Sequence, residues 1–204
     1  LLSILSELKR RKMESKIHYF EKPGGDANTT RTLALAKQRA NELGIKTVVV
    51  ASTAGKTAVK AVSVFKGCKV IVVTHVAGFR EPNTQEFTEE NRKVVEGKSG
   101  IVLTTAHALG GIHRALNPSG MPPAPTSAIG DIVAMTLRMF GQGMKVACEI
   151  AAMAADAGLV RTDEEVISIG GTGRGADTAL VVQADNVHHF FNLRVKEIIC
   201  KPRL

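Results

Sequence analysis

From residue 45 onward the chain alternates between two kinds of hydrophobic pattern. IKTVVVAS (45–52), KVIVVTH (69–75) and IVLTTAH (101–107) are nearly continuous β-branched runs, the pattern of strands covered on both faces. Between them lie helical patterns, one from about Lys56 to Phe65 and one near Thr88 to Glu96. Upstream, KIHYF (16–20) predicts a first strand. Leu33, Leu35, Ala36, Ala40 and Leu43 then mark the buried stripe of a helix that Asn28 or Thr29 caps and Gly44 ends. Downstream, a helix from Thr126 or Ser127 to about Phe140 is interrupted by Gly141 and Gly143, and a second runs through MKVACEIAAMAADAG to Gly158. EEVISIGGTGRGADTALVVQAD reads as strand, glycine-rich turn and strand, and a short helix (186–193) precedes a last strand in VKEIICKP.

This order predicts a three-layer α/β/α fold. Its sheet is mostly parallel, with helices on both faces and a C-terminal antiparallel addition where the glycine turn joins neighbouring strands. Residues 1–15 carry apolar side chains at 1, 2, 4, 5 and 8 and predict an amphipathic helix; residues 16–204 are expected to form a single α/β domain. The proline- and glycine-rich segment HALGGIHRALNPSGMPPAPTS breaks the alternation and predicts a long functional or mobile loop. Met135, Met139, Met144 and Met153 fall at helical spacing and read as core filling rather than a cofactor pocket.

With 204 residues and 44% hydrophobic content, the chain has material for one substantial core. The net charge of +8 raises the question of nucleic acid, but its distribution argues against it. Residues 1–16 carry +3 and residues 194–204 another +3, which leaves +2 for the body. With 4% aromatic residues and no Trp there is no stacking platform either, so no nucleic-acid partner is expected. The most apolar stretch, 144–160, contains Lys145, Glu149 and Asp156, so no membrane span is expected. Residues 1–15 place their basic cluster after the apolar run, the reverse of a signal peptide's order. Cys68, Cys148 and Cys200 are widely separated, which fits a reduced, cytoplasmic setting.

Candidate chemistry begins with ASTAGKTA (51–58). Its Gly55-Lys56-Thr57 imitates the end of a nucleotide triphosphatase loop, but that loop needs a glycine where this chain has Val50. The run KVIVVTH also ends without a carboxylate for magnesium, so ATP hydrolysis is not expected. A phosphate can still sit at the start of the helix, where free N–H groups and the helix dipole favour an anion. Ser52, Thr53 and Thr57 would add hydroxyls, with Gly55 allowing close approach and Ala54 and Lys56 completing the loop. The alternative is that Ser52 and Thr53 merely cap the helix.

In an open parallel sheet the ligand crevice lies beyond the carboxyl ends of the strands. The sequence places Thr74, His75, Gly78 and Phe79 there, together with Thr104, Thr105 and His107 and the later glycine turn of Gly171, Thr172, Gly173, Arg174, Gly175, Ala176, Asp177 and Thr178. Gly171-x-Gly173-x-x-Ala176 imitates a dinucleotide fingerprint, but TALVVQ after it reads as a strand, not a helix. His75, His107 and His113 come from separate segments without metal-site spacing, so no metal is expected.

VVVASTAGKTA, VTHVAGF, HALGGIHR, EIAAMAADAG and ISIGGTGRGADTA together resemble prokaryotic proteins related to the C-terminal α/β domain of pyruvate kinase, from about Lys16 to the end. In that enzyme a hydroxyl-rich loop ahead of a helix grips a phosphate of a sugar bisphosphate activator, and Ser52, Thr53, Gly55 and Thr57 stand in the matching place. The metal-binding carboxylates of the enzyme's barrel have no counterpart here, so the resemblance does not imply pyruvate kinase activity. It implies a phosphorylated ligand in the crevice, with flavin mononucleotide (FMN) as the expected cofactor. The phosphate would lie on residues 52–57, bordered by His75, Gly78 and Phe79. The backbone of Gly171 to Ala176 would approach the flavin ring, and Asp177 and Thr178 would make polar contacts. The alternative is a regulatory module that senses a sugar phosphate and acts through contacts in a homo-oligomer. The helix of residues 1–15 and the glycine-interrupted helix pair are its expected assembly surfaces.

Overall fold

The computed structural model describes residues 15–111 and 129–203. The expected amphipathic helix of residues 1–15, His113 and the helix start at Thr126 or Ser127 lie outside the described residues, apart from residue 15 itself.

The strands are β1 (His18–Phe20), β2 (Thr47–Ala51), β3 (Lys69–Val73), β4 (Ile101–Leu103), β5 (Glu165–Gly170), β6 (Thr178–Gln183) and β7 (Arg194–Pro202). The helices are α1 (Asp26–Leu43), α2 (Lys56–Val64), α3 (Glu89–Gly97), α4 (Ile129–Arg138) and α5 (Gln142–Asp156), with a 3-10 turn at Val187–Asn192 where the sequence predicts a short helix. All seven strands form one sheet in the order β1-β7-β6-β5-β2-β3-β4. Every pairing is parallel except the two that β6 makes, with β5 and with β7, so β6 alone runs against the others. That is the expected α/β architecture, with the antiparallel addition at its C-terminal end.

Strand β2 shows why the β-branched runs are continuous. Val48 and Val50 point into a core shared with α1, α2 and α3, while Val49 points into the opposite core built on α5. All three are fully buried, and each such side chain contributes about 1.5 to 3 kcal/mol relative to an exposed one. No helix among the described residues is long and apolar enough to cross a membrane.

Helix starts depart from expectation in two places. Helix α1 begins at Asp26 behind Gly25 (φ 87°), not at a cap supplied by Asn28 or Thr29. Those side chains are used elsewhere, since Asn28 Nδ2 donates to Lys22 O, and Thr29 Oγ1 donates to Gly25 O and accepts the Ala176 N–H at 2.9 Å. Of the two glycines expected to interrupt the later helix pair, only Gly141 (φ 121°) does so. Gly143 lies within α5, where a Cβ would collide with the Thr178 side chain and the Asp177 carboxylate, so it sets how closely α5 approaches the sheet.

Candidate functional site

Strand β2 sends its chain through α2 to β3 on one side, whereas its other neighbour, β5, turns away to β6. Such a divergence opens a crevice at the carboxyl ends of the strands. A cleft of about 710 Å³ lies there, between the strand ends and α5. Of the residues predicted from sequence, Ser52, Thr53, Ala54, Lys56, Thr57, Thr74, His75, Phe79, His107, Gly171, Gly173, Arg174 and Gly175 line it.

The loop from β2 into α2 is built tightly. Ser52 is buried, and its hydroxyl accepts the Ala58 N–H at 3.3 Å, so this side chain does serve the helix start. The amides of Lys56 and Thr57, the first two of α2, have no hydrogen-bond partner among the described residues and open the helix at the cleft. Gly55 has a different reason from the one expected. Its φ of 102° and the Asn91 side chain packed where a Cβ would stand demand glycine, so it accommodates α3 rather than an approaching ligand. Asn91 Nδ2 also donates to Ala54 O at 2.8 Å, fixing the loop from behind.

His75 stands at the centre of the strand-end cluster. Its Nδ1 lies 2.7 Å from Glu86 Oε2 and its Nε2 lies 3.3 Å from Thr53 Oγ1. Its ring packs against Phe79 at 4.3 Å and edge-on to His107 at 5.5 Å, centroid to centroid. Arg80 donates to the other Glu86 oxygen at 2.9 Å. Burial raises the Glu86 pKa, but the bonds from Arg80 and His75 outweigh it and hold the carboxyl below its ordinary value. Thr74 lines the cleft with its hydroxyl already engaged, donating to His75 O and paired with Thr104 Oγ1 at 2.7 Å.

The glycine turn divides. Gly171, Gly173, Arg174 and Gly175 reach the cleft, while Thr172, Ala176, Asp177 and Thr178 do not line it. Asp177, expected to contact a ligand, is fully buried, and it accepts the amides of Gly24 at 2.8 Å and Thr172 at 3.1 Å and the Thr178 hydroxyl at 2.7 Å. Both residues are therefore internal ties of the turn. The Gly171 and Gly175 backbones are pressed against protein atoms, namely Gly175 itself and the Thr29 and Gly25 segment, so close approach of chain to chain explains these glycines. Gly78, at φ 76°, closes the 78–84 turn through its N–H to Thr84 O and also lies off the cleft.

Several lining residues escape the sequence reading: Arg80, Glu86, Arg138, Gln142, Lys145 and Glu149. The last pair had a signal, since two charges four apart interrupt an otherwise apolar helix. Lys145 and Glu149 are both buried and joined as an ion pair, and Glu149 Oε1 also accepts the Leu109 N–H at 2.9 Å. The two acidic side chains of the lining are thus both paired. Lys56, Arg138 and Arg174 have no carboxylate partner among the described residues, which leaves the cleft electropositive.

The fold and the crevice define an open α/β domain with a ligand-sized cleft at its strand ends. The family model of the pyruvate kinase alpha/beta domain matches residues 30–182, and the chain belongs to that family.

Proposed function

We propose that the cleft binds a phosphorylated small molecule, FMN, with the phosphate over the start of α2 and the ring system between His75, Phe79 and the Gly171–Gly175 turn. One observation carries this reading: the amides of Lys56 and Thr57 open into a cleft whose guanidinium groups Arg138 and Arg174 lack carboxylate partners among the described residues. Hydrogen bonds to a charged group contribute about 1.5 to 3 kcal/mol each, so a few of them suffice to hold a phosphate monoester. The volume of about 710 Å³ falls in the range of small-molecule sites.

Purified protein is expected to show flavin absorbance or to take up FMN in a calorimetric titration. Arg174→Glu reverses an exposed charge at the cleft and is expected to weaken binding at least about tenfold, since about 1.4 kcal/mol is a factor of ten. Lys56→Ala, at an exposed and solvent-screened position, is expected to change affinity by less than about threefold. Absence of binding by the wild type overturns the reading.

Membership of the pyruvate kinase alpha/beta family favours a second reading, a regulatory module that senses a sugar phosphate within a homo-oligomer. A sugar bisphosphate then raises the melting temperature while FMN does not, by binding linkage. Light scattering with and without the sugar bisphosphate tests the assembly.

A further inference from the structure

We propose that Thr53, His75 and Glu86 form a nucleophile–base–carboxylate relay that gives this protein an acyl-transfer activity toward small esters or thioesters. The inference does not depend on flavin binding. It rests on three side chains from two loops meeting in one line, Thr53 from the loop after β2 and His75 and Glu86 from the loop after β3: Thr53 Oγ1 at 3.3 Å from His75 Nε2, and His75 Nδ1 at 2.7 Å from Glu86 Oε2.

The order of roles follows from the partners. Glu86 is held ionised by Arg80 on one oxygen, so it accepts, and the His75 proton resides on Nδ1. Nε2 then carries a lone pair and accepts from the Thr53 hydroxyl, the arrangement a general base needs. A separation of 3.3 Å is within the looser range such contacts show before substrate binds. Phe79 and His107 pack on the imidazole and hold its plane. Thr53 sits on the turn from β2 into α2, so its hydroxyl stands just ahead of a helix whose Lys56 and Thr57 amides line the same cleft and lack partners among the described residues. Those amides supply donors for the oxyanion that forms on the substrate carbonyl.

In the first step Thr53 Oγ bonds to the acyl carbon as its proton passes to His75 Nε2 and the carbonyl electrons move onto oxygen. Collapse of this intermediate expels the alcohol or thiol, which takes the proton back from Nε2. Water, deprotonated by the same nitrogen, then attacks the acyl-threonine and releases a carboxylic acid and the free hydroxyl. The balance is ester plus water to acid plus alcohol, with no oxidant or metal required. Glu86 is a positioning residue, fixing the tautomer and orientation of His75.

The test uses p-nitrophenyl acetate as the probe on the full chain, with melting temperatures recorded for each variant. Wild type is expected to release p-nitrophenol above the buffer rate. Quenched samples should carry one acetyl group on the Thr53 peptide by mass spectrometry. Thr53→Ala and His75→Ala are expected to lower kcat/KM by about 100-fold or more, while Thr53→Ser retains turnover. Glu86→Gln is expected to lower kcat by about tenfold or more and to shift the pH profile, which a merely structural contact would not do. Wild-type turnover no faster than buffer overturns the proposal, and so does a folded Thr53→Ala that hydrolyses the ester at the wild-type rate. FMN on the same amides and against His75 would block the ester, so the assay is run on flavin-stripped protein. There, calorimetric silence toward FMN leaves the ester result untouched and turnover at the buffer rate leaves FMN binding untouched, so the two readings fail separately.

Discussion

The Asp177 carboxylate accepts the Gly24 amide at 2.8 Å, across 153 positions of chain. This contact ties the turn after β5 to the loop ahead of α1, and Ala176 N–H to Thr29 Oγ1 repeats the tie one residue earlier. The same carboxylate also receives the Thr172 amide and the Thr178 hydroxyl. Asp177→Ala strands these buried donors and is expected to destabilise the fold by about 3 kcal/mol, read from the urea midpoint, since each bond to a charged group contributes about 1.5 to 3 kcal/mol. Asp177→Asn keeps an acceptor and is expected to lose less.

The Lys145–Glu149 pair predicts a non-additive result. Removing one partner leaves a buried charge alone, so Glu149→Ala is expected to cost about 3 to 5 kcal/mol, with the Leu109 amide losing its acceptor as well. The double variant Lys145→Met, Glu149→Leu places apolar side chains of similar size in the same space. It is expected to be more stable than Glu149→Ala in the same urea titration.

Thiol reactivity separates the three cysteines. Burial pushes Cys148 up to about 12 and Cys200 up to about 11, while Cys68 is only half-buried. In native protein at about pH 8, iodoacetamide is therefore expected to modify Cys68 and to spare the other two, because the thiolate is the nucleophile. In urea all three should react, as peptide mass mapping would show.

Acid should weaken the His75 loop through Glu86. Its folded pKa is depressed, so the stabilisation from Arg80 and His75 is fully present above the unfolded value of 4.5 and is lost as pH falls through the lower folded value. The melting-temperature difference between wild type and Glu86→Gln is expected to be widest above that value and to shrink below it. A difference that stays constant through this range would contradict the assignment.

Much of the scaffold was readable because its signals are local. The β-branched runs at 47–51 and 69–73 became central strands, and Gly44 ended α1 in the left-handed conformation at φ 72°. The strand-end rule then brought residues as distant as Ser52, His107 and Gly171 to one cleft. The reasons assigned to single residues fared less well. Gly55 reads equally well as a ligand-facing or a helix-facing glycine until Asn91 is found against it, and Asp177 looked available for a ligand until Gly24 was found on its carboxylate. Glu86 and Arg138 belong to no motif, and only the folding of the chain brings them to the cleft.

What the sequence determined by itself is the alternation of buried strands and amphipathic helices, and with it the open sheet and the edge at which a ligand can enter. Hydrophobic periodicity is set by the backbone repeat of each element, so it survives without knowledge of neighbours. The tertiary structure alone decided which polar groups meet. Whether a hydroxyl, imidazole or carboxylate is spent on holding a turn or left facing the cleft depends on partners far along the chain. Thr53, His75 and Glu86 become a line of hydrogen bonds only when the loops after β2 and β3 converge at one end of the sheet.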